Sequence, residues 1–291
     1  MYKKLSKNAF GANRYKELTE MTADTKYPIL LVHGMGFRDR KHLCYWGRIP
    51  EILRQNGARV FFGHQDSNGS IESNARQIEE SLKKVLAETG AEKVNIIAHS
   101  KGGLEARYLI STMGYGEKVA SLTTLSTPHN GSVTVDKLLK HTEPAVKIGC
   151  KAVDLWFRII GDKAPDTYGA VDAFRTSSAD RFNRENPDDP AVYYQSYGFV
   201  MNKWSADMSM CIPWLVVNCF EGENDGLLAP RAVTWKNFRG VYRGSGKRGI
   251  SHCDEVDMRR SRLSVKSGET AVDDITEFYL KIVQDLKSKG Y

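Results

Sequence analysis

The sequence lacks several features that would assign it to a specialised class of protein. It has no apolar run long enough to span a bilayer, and no Cys/His cluster at the spacing of a zinc site. Its five cysteines cannot all pair with one another, because five is an odd number, so a complete disulfide framework is excluded. It also lacks internal repeats and low-complexity segments. What is left is a globular chain whose cysteines are expected to be reduced and mostly buried.

The chain also lacks a large excess of charge of one sign. The formal net charge of +7 is spread along 291 residues, which favours solubility or a weak attraction to anionic interfaces over a nucleic-acid-binding surface. A hydrophobic content of 41% and a charged content of 26% are ordinary for globular proteins. We therefore expect no nucleic-acid partner, and a single domain over residues 1–291.

The N-terminus lacks the pattern of a signal peptide. Residues 1–7 are basic, but no apolar stretch follows them. Residues 1–26 are polar and are predicted to form an arm on the surface. As written, the chain is expected in the cytoplasm.

Buried strands alternate with amphipathic helices over much of the chain. This order predicts an α/β fold with a mostly parallel sheet that is covered by helices on both faces. The predicted strands are 27–33, 58–62, 94–99, 119–125 and 212–220, and the predicted helices are 46–56, 71–89, 104–110 and 273–287. With about 3.3 Å per residue, Cys211 and Cys219 would lie roughly 26 Å apart at the ends of the last strand and could not pair.

The alternation stops between the fourth and fifth predicted strands, where residues 130–206 form a largely helical insertion. The best helical pattern is 144–161, whose apolar positions are Val146, Ile148, Val153, Leu155, Trp156, Ile159 and Ile160. Two interpretations are open. The helix packs in the core, or it forms a mobile lid that contacts acyl chains.

A strand, a tight turn and a helix follow one another at residues 94–110, with Ser100 at the turn. Ala98 and Gly102 flank Ser100 at the positions that must be small in a nucleophile elbow, G-x-S-x-G, with alanine in place of the first glycine. The plain alternative is an ordinary strand-to-helix turn.

A serine nucleophile needs a histidine base and a carboxylate that orients it, and in α/β-hydrolases these follow the serine in the order acid, then histidine. After the insertion His252 is the only histidine, and it lies just before the last helix. Asp225 is the best candidate acid because it follows a predicted late strand directly, with Glu221 and Glu223 as rivals. Order and spacing together favour Ser100, Asp225 and His252 as a catalytic triad.

An oxyanion hole in this fold uses the backbone N–H after the nucleophile and another from the loop after an early strand. Here these donors would be the amides of Lys101 and Met35. His33 and His99 are predicted to be structural, with their rings hydrogen-bonded beneath the site.

Five segments resemble the bacterial true lipases of the Pseudomonas, Burkholderia and Proteus type. They are YPILLVHGM (27–35), KVNIIAHS (93–100), STPHNGS (126–132), NDGL (224–227) and SHCDEV (251–256). The resemblance implies an α/β-hydrolase fold, the triad and oxyanion residues named above, a helical lid, and acylglycerol substrates met at a lipid–water interface. It implies no organic cofactor. Because the family is usually secreted, it also leaves the compartment open.

The resemblance further implies a structural calcium ion that braces the loop of the catalytic histidine. Asp254, two residues after His252, and Asp207, ahead of the acid, match the family's carboxylate ligands. A weaker local candidate is Asp257, and the backbone carbonyls of Met258 and Arg262 would complete the site. The alternative is that Asp207 caps a turn and Asp254 pairs with an arginine such as Arg259.

The sequence thus predicts a serine carboxylic ester hydrolase, most specifically a triacylglycerol lipase. A short-chain carboxylesterase and an acyltransferase or thioesterase are alternatives within the same chemistry. From a different class, a non-catalytic binding protein with this fold would keep the architecture without needing the triad.

Overall fold

The computed structural model describes residues 22–36, 38–39, 44–244, 247–263 and 272–291. These residues contain one six-stranded sheet in which every neighbouring pair is parallel, in the order β2-β1-β3-β4-β5-β6. The strands are β1 (Ile29–Val32), β2 (Val60–Phe62), β3 (Val94–His99), β4 (Val119–Leu125), β5 (Tyr193–Phe199) and β6 (Phe238–Tyr242).

The α-helices in the described part of the chain are α1 (Ile49–Gln55), α2 (Ile71–Thr89), α3 (Lys101–Ile110), α4 (Val133–Ile159), α5 (Thr167–Asp172), α6 (Thr176–Glu185), α7 (Cys211–Glu221), α8 (Pro230–Val233) and α9 (Ile275–Ser288). Their ends follow local chemistry. The Ser70 hydroxyl accepts the amide of Ser73 at the start of α2, and Gly90 ends that helix in the left-handed conformation at φ 66°. None of the described helices combines the length and the apolar character that a membrane span requires.

Two apolar clusters cover the two faces of the sheet. Helices α1 and α9 pack on one face around Trp46 and Tyr279, and α2 and α3 pack on the other around Ile78 and Leu109. The predicted parallel sheet with helices on both faces is therefore confirmed. Of the predicted arm, residues 1–21 lie outside the described residues, and Ala23 is buried against the turn after α1.

The predicted strand 212–220 is wrong, because these residues form helix α7. A continuous apolar run does not distinguish a buried strand from a helix, and Pro213 is tolerated because it lies in the first turn. The next strands of the sheet are instead β5, which lies inside the predicted insertion, and β6, which the sequence pattern missed.

The correction to α7 also changes the argument about the cysteines. Eight residues of helix separate Cys211 from Cys219 by roughly 12 Å, less than half the predicted distance and still too far for a disulfide. All five cysteines are free thiols, as expected, but only Cys150 is buried.

The helical part of the insertion spans α4, α5 and α6 and ends before β5, so it is shorter than predicted. Helix α4 begins 11 residues before the predicted start and contains Pro144 in its interior. Its apolar face points to solvent. The exposed fractions are 72% for Ile148, 62% for Leu155, 60% for Trp156 and 71% for Ile159. The interpretation of this helix as part of the core is therefore wrong.

Candidate active site

Ser100 occupies a strained turn between β3 and α3, with φ 54° and ψ −131°. The turn is held by the Ser100 amide, which donates to the Leu125 carbonyl at 2.9 Å, and by the Thr127 hydroxyl, which donates to the Ser100 carbonyl at 2.8 Å. A Cβ on Gly102 would lie 2.4 Å from the His33 carbonyl oxygen, so this position must be glycine. This geometry is that of a nucleophile elbow and presents Ser100 at the carboxyl edge of the sheet.

Asp225 and His252 are brought together as predicted. His252 Nδ1 lies 2.9 Å from Asp225 Oδ2, while Asp225 Oδ1 accepts the amides of Leu227 and Leu228, each at 2.8 Å. Burial alone would raise the pKa of Asp225, but the charge and hydrogen bond of His252 and the two amides outweigh it and lower the pKa. The carboxylate is therefore ionised and oriented toward the imidazole.

The Asp225–His252 pair lies beside the elbow. The His252 ring packs on the ring of His99, the residue before Ser100, with centroids 4.4 Å apart. No hydrogen bond among the described residues joins the Ser100 hydroxyl to His252. The sequence predicts a strand directly before Asp225, but the structure has no strand there. Asp225 follows α7, and its loop returns to the sheet because the Met201 amide donates to the Asn224 carbonyl at 2.8 Å.

The rival acids have other partners. Glu221 Oε1 accepts the Ser132 hydroxyl and the Thr134 amide, both at 2.8 Å, and so caps the start of α4. Glu223 is exposed and pairs with Arg243 at 2.7 Å. Neither carboxylate interacts with His252 among the described contacts.

Sequence reasoning missed Glu255, which is fully buried three residues after His252. Its Oε1 accepts the Ser126 hydroxyl at 2.9 Å and lies 3.9 Å from His252 Nδ1. Burial raises the pKa of Glu255 well above its usual range, and the charge of and hydrogen bond to Asp225 raise it further. Glu255 is thus a neutral acid that supports the ionised Asp225. The signal in the sequence was a carboxylate three residues after the candidate histidine.

His99 links this acid to the other side of the site. Its Nδ1 lies 2.7 Å from the Tyr45 hydroxyl and its Nε2 lies 3.0 Å from Glu255 Oε2. Burial, and then the proximity of His252, lower the pKa of His99 well below its usual range, so the ring is neutral. Because burial also raises the pKa of Tyr45, its hydroxyl keeps the proton, and Tyr45, His99 and Glu255 form one buried hydrogen-bonded chain.

The loop after β1 approaches the elbow closely. A Cβ on Gly34 would lie 2.9 Å from the Ser100 Cβ, so glycine is required for this approach. An oxyanion donor must not be used by a protein acceptor. Among the described residues, neither the Met35 amide nor the Lys101 amide donates to one. The Lys101 side chain is buried and pairs with Glu105. The ring of His33, like that of His99, is hydrogen-bonded below the elbow, with its Nε2 3.1 Å from the Gln65 carbonyl oxygen.

Asp207 and Asp254 meet at Ser251, directly before the histidine. Asp207 Oδ2 accepts the Ser251 hydroxyl at 2.6 Å, and Asp254 Oδ2 accepts the Ser251 amide at 3.2 Å. Burial raises the pKa of Asp254 to about 6, and the nearby charge of Asp207 contributes. Asp254 Oδ1 also accepts Arg259 Nε at 2.6 Å, which is the alternative arrangement considered above.

Among the other residues considered for a metal site, Asp257 is less suited to it. Asp257 is occupied by Arg48, with 2.6 Å between Oδ1 and Nη2. The Met258 amide donates to the Cys253 carbonyl at 3.1 Å and the Arg262 side chain lies 3.3 Å from Glu277, contacts that leave the two proposed backbone carbonyl ligands unaffected. Two buried carboxylates around one serine therefore match the donor chemistry of a hard cation, although Arg259 already offsets part of their charge.

Comparisons with known proteins identify the family of the chain. Residues 28–186 match the family described as palmitoyl protein thioesterase. The chain is 31% identical to a triacylglycerol lipase of Vibrio cholerae, over 80% of each chain. It is 29% identical to triacylglycerol lipase 2 of Saccharomyces cerevisiae, over 96% of this chain and 81% of the yeast protein.

A solved structure shares the fold. The Staphylococcus hyicus lipase superposes with a TM-score of 0.67 at 16% identity, covering 93% of this chain and 98% of that one. The predicted α/β-hydrolase fold is thereby confirmed. The chain belongs to the α/β-hydrolase family represented by the palmitoyl protein thioesterase model and the triacylglycerol lipases, and it is a hydrolase of the lipase and esterase type.

Proposed function

We propose that the protein is a triacylglycerol lipase, akin to the Pseudomonas and Burkholderia enzymes, with Ser100, Asp225 and His252 as its triad. The observation that carries this proposal is the buried hydrogen bond between Asp225 and His252 beside the strained turn of Ser100. An ordinary strand-to-helix turn needs neither the positive φ of a serine nor a buried carboxylate–imidazole pair at its edge.

The proposed reaction is acyl transfer through serine. His252 Nε2 takes the proton of the Ser100 hydroxyl as its oxygen attacks the ester carbonyl, and the amides of Met35 and Lys101 stabilise the oxyanion. When the tetrahedral intermediate collapses, the C–O bond to the alcohol breaks and His252 returns the proton to the leaving alkoxide. Water, activated by the same imidazole, then releases the fatty acid from Ser100. No step needs an organic cofactor.

The outward apolar face of α4 favours lipid substrates over small soluble esters. We propose that α4 is the helix of a lid that meets a lipid–water interface. At roughly 25 cal/mol per Å², covering a few hundred Å² of apolar surface with lipid is worth several kcal/mol. Activity should therefore rise when an oil–water interface is supplied.

The test replaces Trp156 by aspartate and measures hydrolysis of a triolein emulsion and of dissolved p-nitrophenyl butyrate. We expect the rate on the emulsion to fall roughly tenfold or more, because a charge cannot enter the lipid, while the rate on the soluble ester stays within about twofold. The matched control is Trp204→Asp, which puts the same charge at an exposed tryptophan outside α4. An equal loss on both substrates would argue against a lid.

The same assays separate the alternatives. Hydrolysis of butyrate esters with no action on emulsions would identify a short-chain esterase. Faster cleavage of a palmitoyl thioester than of triolein would identify a thioesterase, the alternative favoured by the match of residues 28–186.

We further propose that Asp207 and Asp254 bind a structural calcium ion. A bound ion would neutralise the two carboxylates and tie the loop of His252 to the residues before α7. The backbone carbonyls of Met258 and Arg262 remain the proposed additional ligands. The two carboxylates that approach Ser251 support this proposal, and the Arg259 ion pair is its alternative.

Removing calcium with a chelator should lower the melting temperature by roughly 5–10 °C, because a ligand at 100 times its Kd stabilises the fold by about 2.7 kcal/mol. Asp254→Asn should remove this response, whereas Asp180→Asn, at an exposed aspartate of α6, should keep it. Unchanged melting in chelator, with no calcium found by elemental analysis, would leave the Arg259 ion pair as the explanation.

A further inference from the structure

Helix α4 carries a line of basic side chains along one exposed side. Lys140, Lys147, Lys151 and Arg158 are all exposed and are spaced by seven, four and seven residues. At 100° per residue this spacing places them on one stripe of the helix, about 27 Å long. Of the four, only Lys147 has an ion pair among the described contacts, with Glu143 at 2.7 Å.

The acidic residues of α4 lie roughly 40–60° around the helix from this stripe, on the side away from the apolar residues, and contacts with the rest of the insertion already engage them. Asp136 accepts the Thr176 hydroxyl at 2.6 Å, and Asp154 accepts the Thr167 amide at 2.7 Å. Glu143 accepts Arg175 Nη2 at 2.7 Å. The outward side of α4 is therefore positively charged although the helix as a whole is mixed.

The apolar stripe of α4 lies next to the basic one. Ile148, Leu155 and Ile159 repeat the seven- and four-residue spacing, about 80° around the helix from the basic stripe, and Trp156 widens it. Side chains of this length can bury their apolar tips while the neighbouring lysines reach sideways to charged groups. Such a helix is the type that lies in the plane of a membrane surface.

We propose that α4 binds the surface of an anionic phospholipid bilayer, with its apolar stripe among the acyl chains and its basic stripe on the headgroup phosphates. The inference rests on the proposed function, because the same helix would be the lid. It adds that the preferred interface is negatively charged. A neutral oil droplet would use only the apolar stripe, and a nucleic acid would use only the basic one, so the two side by side favour an anionic bilayer.

The test measures binding without hydrolysis. Vesicles of ether-linked phosphatidylcholine, with or without 30% ether-linked phosphatidylglycerol, are mixed with the protein and separated by flotation. Each cation near an anionic surface changes partitioning roughly fivefold, so the double variant Lys151→Gln/Arg158→Gln should bind the anionic vesicles about 25-fold more weakly. The matched control, Lys84→Gln/Lys118→Gln, removes two exposed cations elsewhere and should bind as wild type does.

Salt and lipid composition supply the remaining comparisons. Raising NaCl from 50 to 500 mM should weaken wild-type binding to anionic vesicles and leave any residual binding to zwitterionic vesicles unchanged. Equal binding to both vesicle types, or an equal loss in the two double variants, would overturn the proposal. Because ether lipids are not substrates, a failure here is independent of the hydrolysis of soluble esters, which tests the proposed function.

Discussion

Replacing Ser100 by alanine should lower kcat/KM for p-nitrophenyl esters by roughly 10⁴- to 10⁶-fold, the range seen when the nucleophile of a triad is removed. The loss is expected because the nearby hydroxyls are engaged elsewhere, that of Thr127 with the Ser100 carbonyl and that of Ser126 with Glu255. The fold should be retained, since the Ser100 side chain makes no described hydrogen bond and alanine at φ 54° is as strained as serine. Melting temperature and ester turnover, measured on the same preparation, check both statements.

A matched control is Ser111→Ala, at the other end of α3, which should leave turnover within about twofold of wild type. A fluorophosphonate probe should label wild type and the control and should fail to label Ser100→Ala. Near-wild-type turnover in a clean Ser100→Ala preparation would reject the proposed nucleophile, and unlabelled but folded wild type would favour a protein that binds without catalysis.

The second large effect is expected from Asp225→Asn, which should lower kcat by about 10⁴-fold. An asparagine can offer its amide N–H to His252, which favours the tautomer that cannot accept the proton of Ser100. It also removes the charge that stabilises the imidazolium. Steady-state kinetics on a soluble ester measure the loss, and KM should change much less than kcat because Asp225 does not touch substrate.

The control for this prediction is Glu223→Gln, which neutralises the rival acid that pairs with Arg243 and should retain activity. The outcome that would contradict this prediction involves the buried Glu255. If Asp225→Asn keeps most of its activity while Glu255→Gln loses it, the carboxylate that orients His252 is Glu255, whose Oε1 is 3.9 Å from Nδ1.

Much of the fold could be predicted because its strands are short apolar runs bounded by polar turns. The runs that form β1, β3 and β4 are buried at every position. Short, continuously apolar runs of this kind are typical of strands in a parallel sheet. The prediction failed at α7, where an equally apolar run folds as a helix with Ile212 70% exposed. The composition of a segment shows that it is apolar, but not whether its side chains pack in the core or face solvent.

The candidate site was predicted through chain order and local chemistry. The nucleophile-elbow pattern requires small residues on both sides of Ser100, and this pattern is visible in the sequence. The structure shows the reason at Gly102, which the His33 carbonyl approaches closely. The pairing of Asp225 with His252 was also expected, although the supposed strand before the acid was not found. Glu255 was missed because its role depends on burial beside Asp225, a contact between two loops that are far apart in the chain.

The sequence by itself therefore determined the parallel sheet, the elbow and the candidate acid and base, because periodicity and steric requirements act over a few residues. Only the tertiary structure decided which way α4 and α7 face, which carboxyl group near His252 is ionised, and that Asp207 and Asp254 meet at Ser251. These depend on distances between segments and on the loss of water around them. A pattern of residue types does not contain that information until the chain is folded.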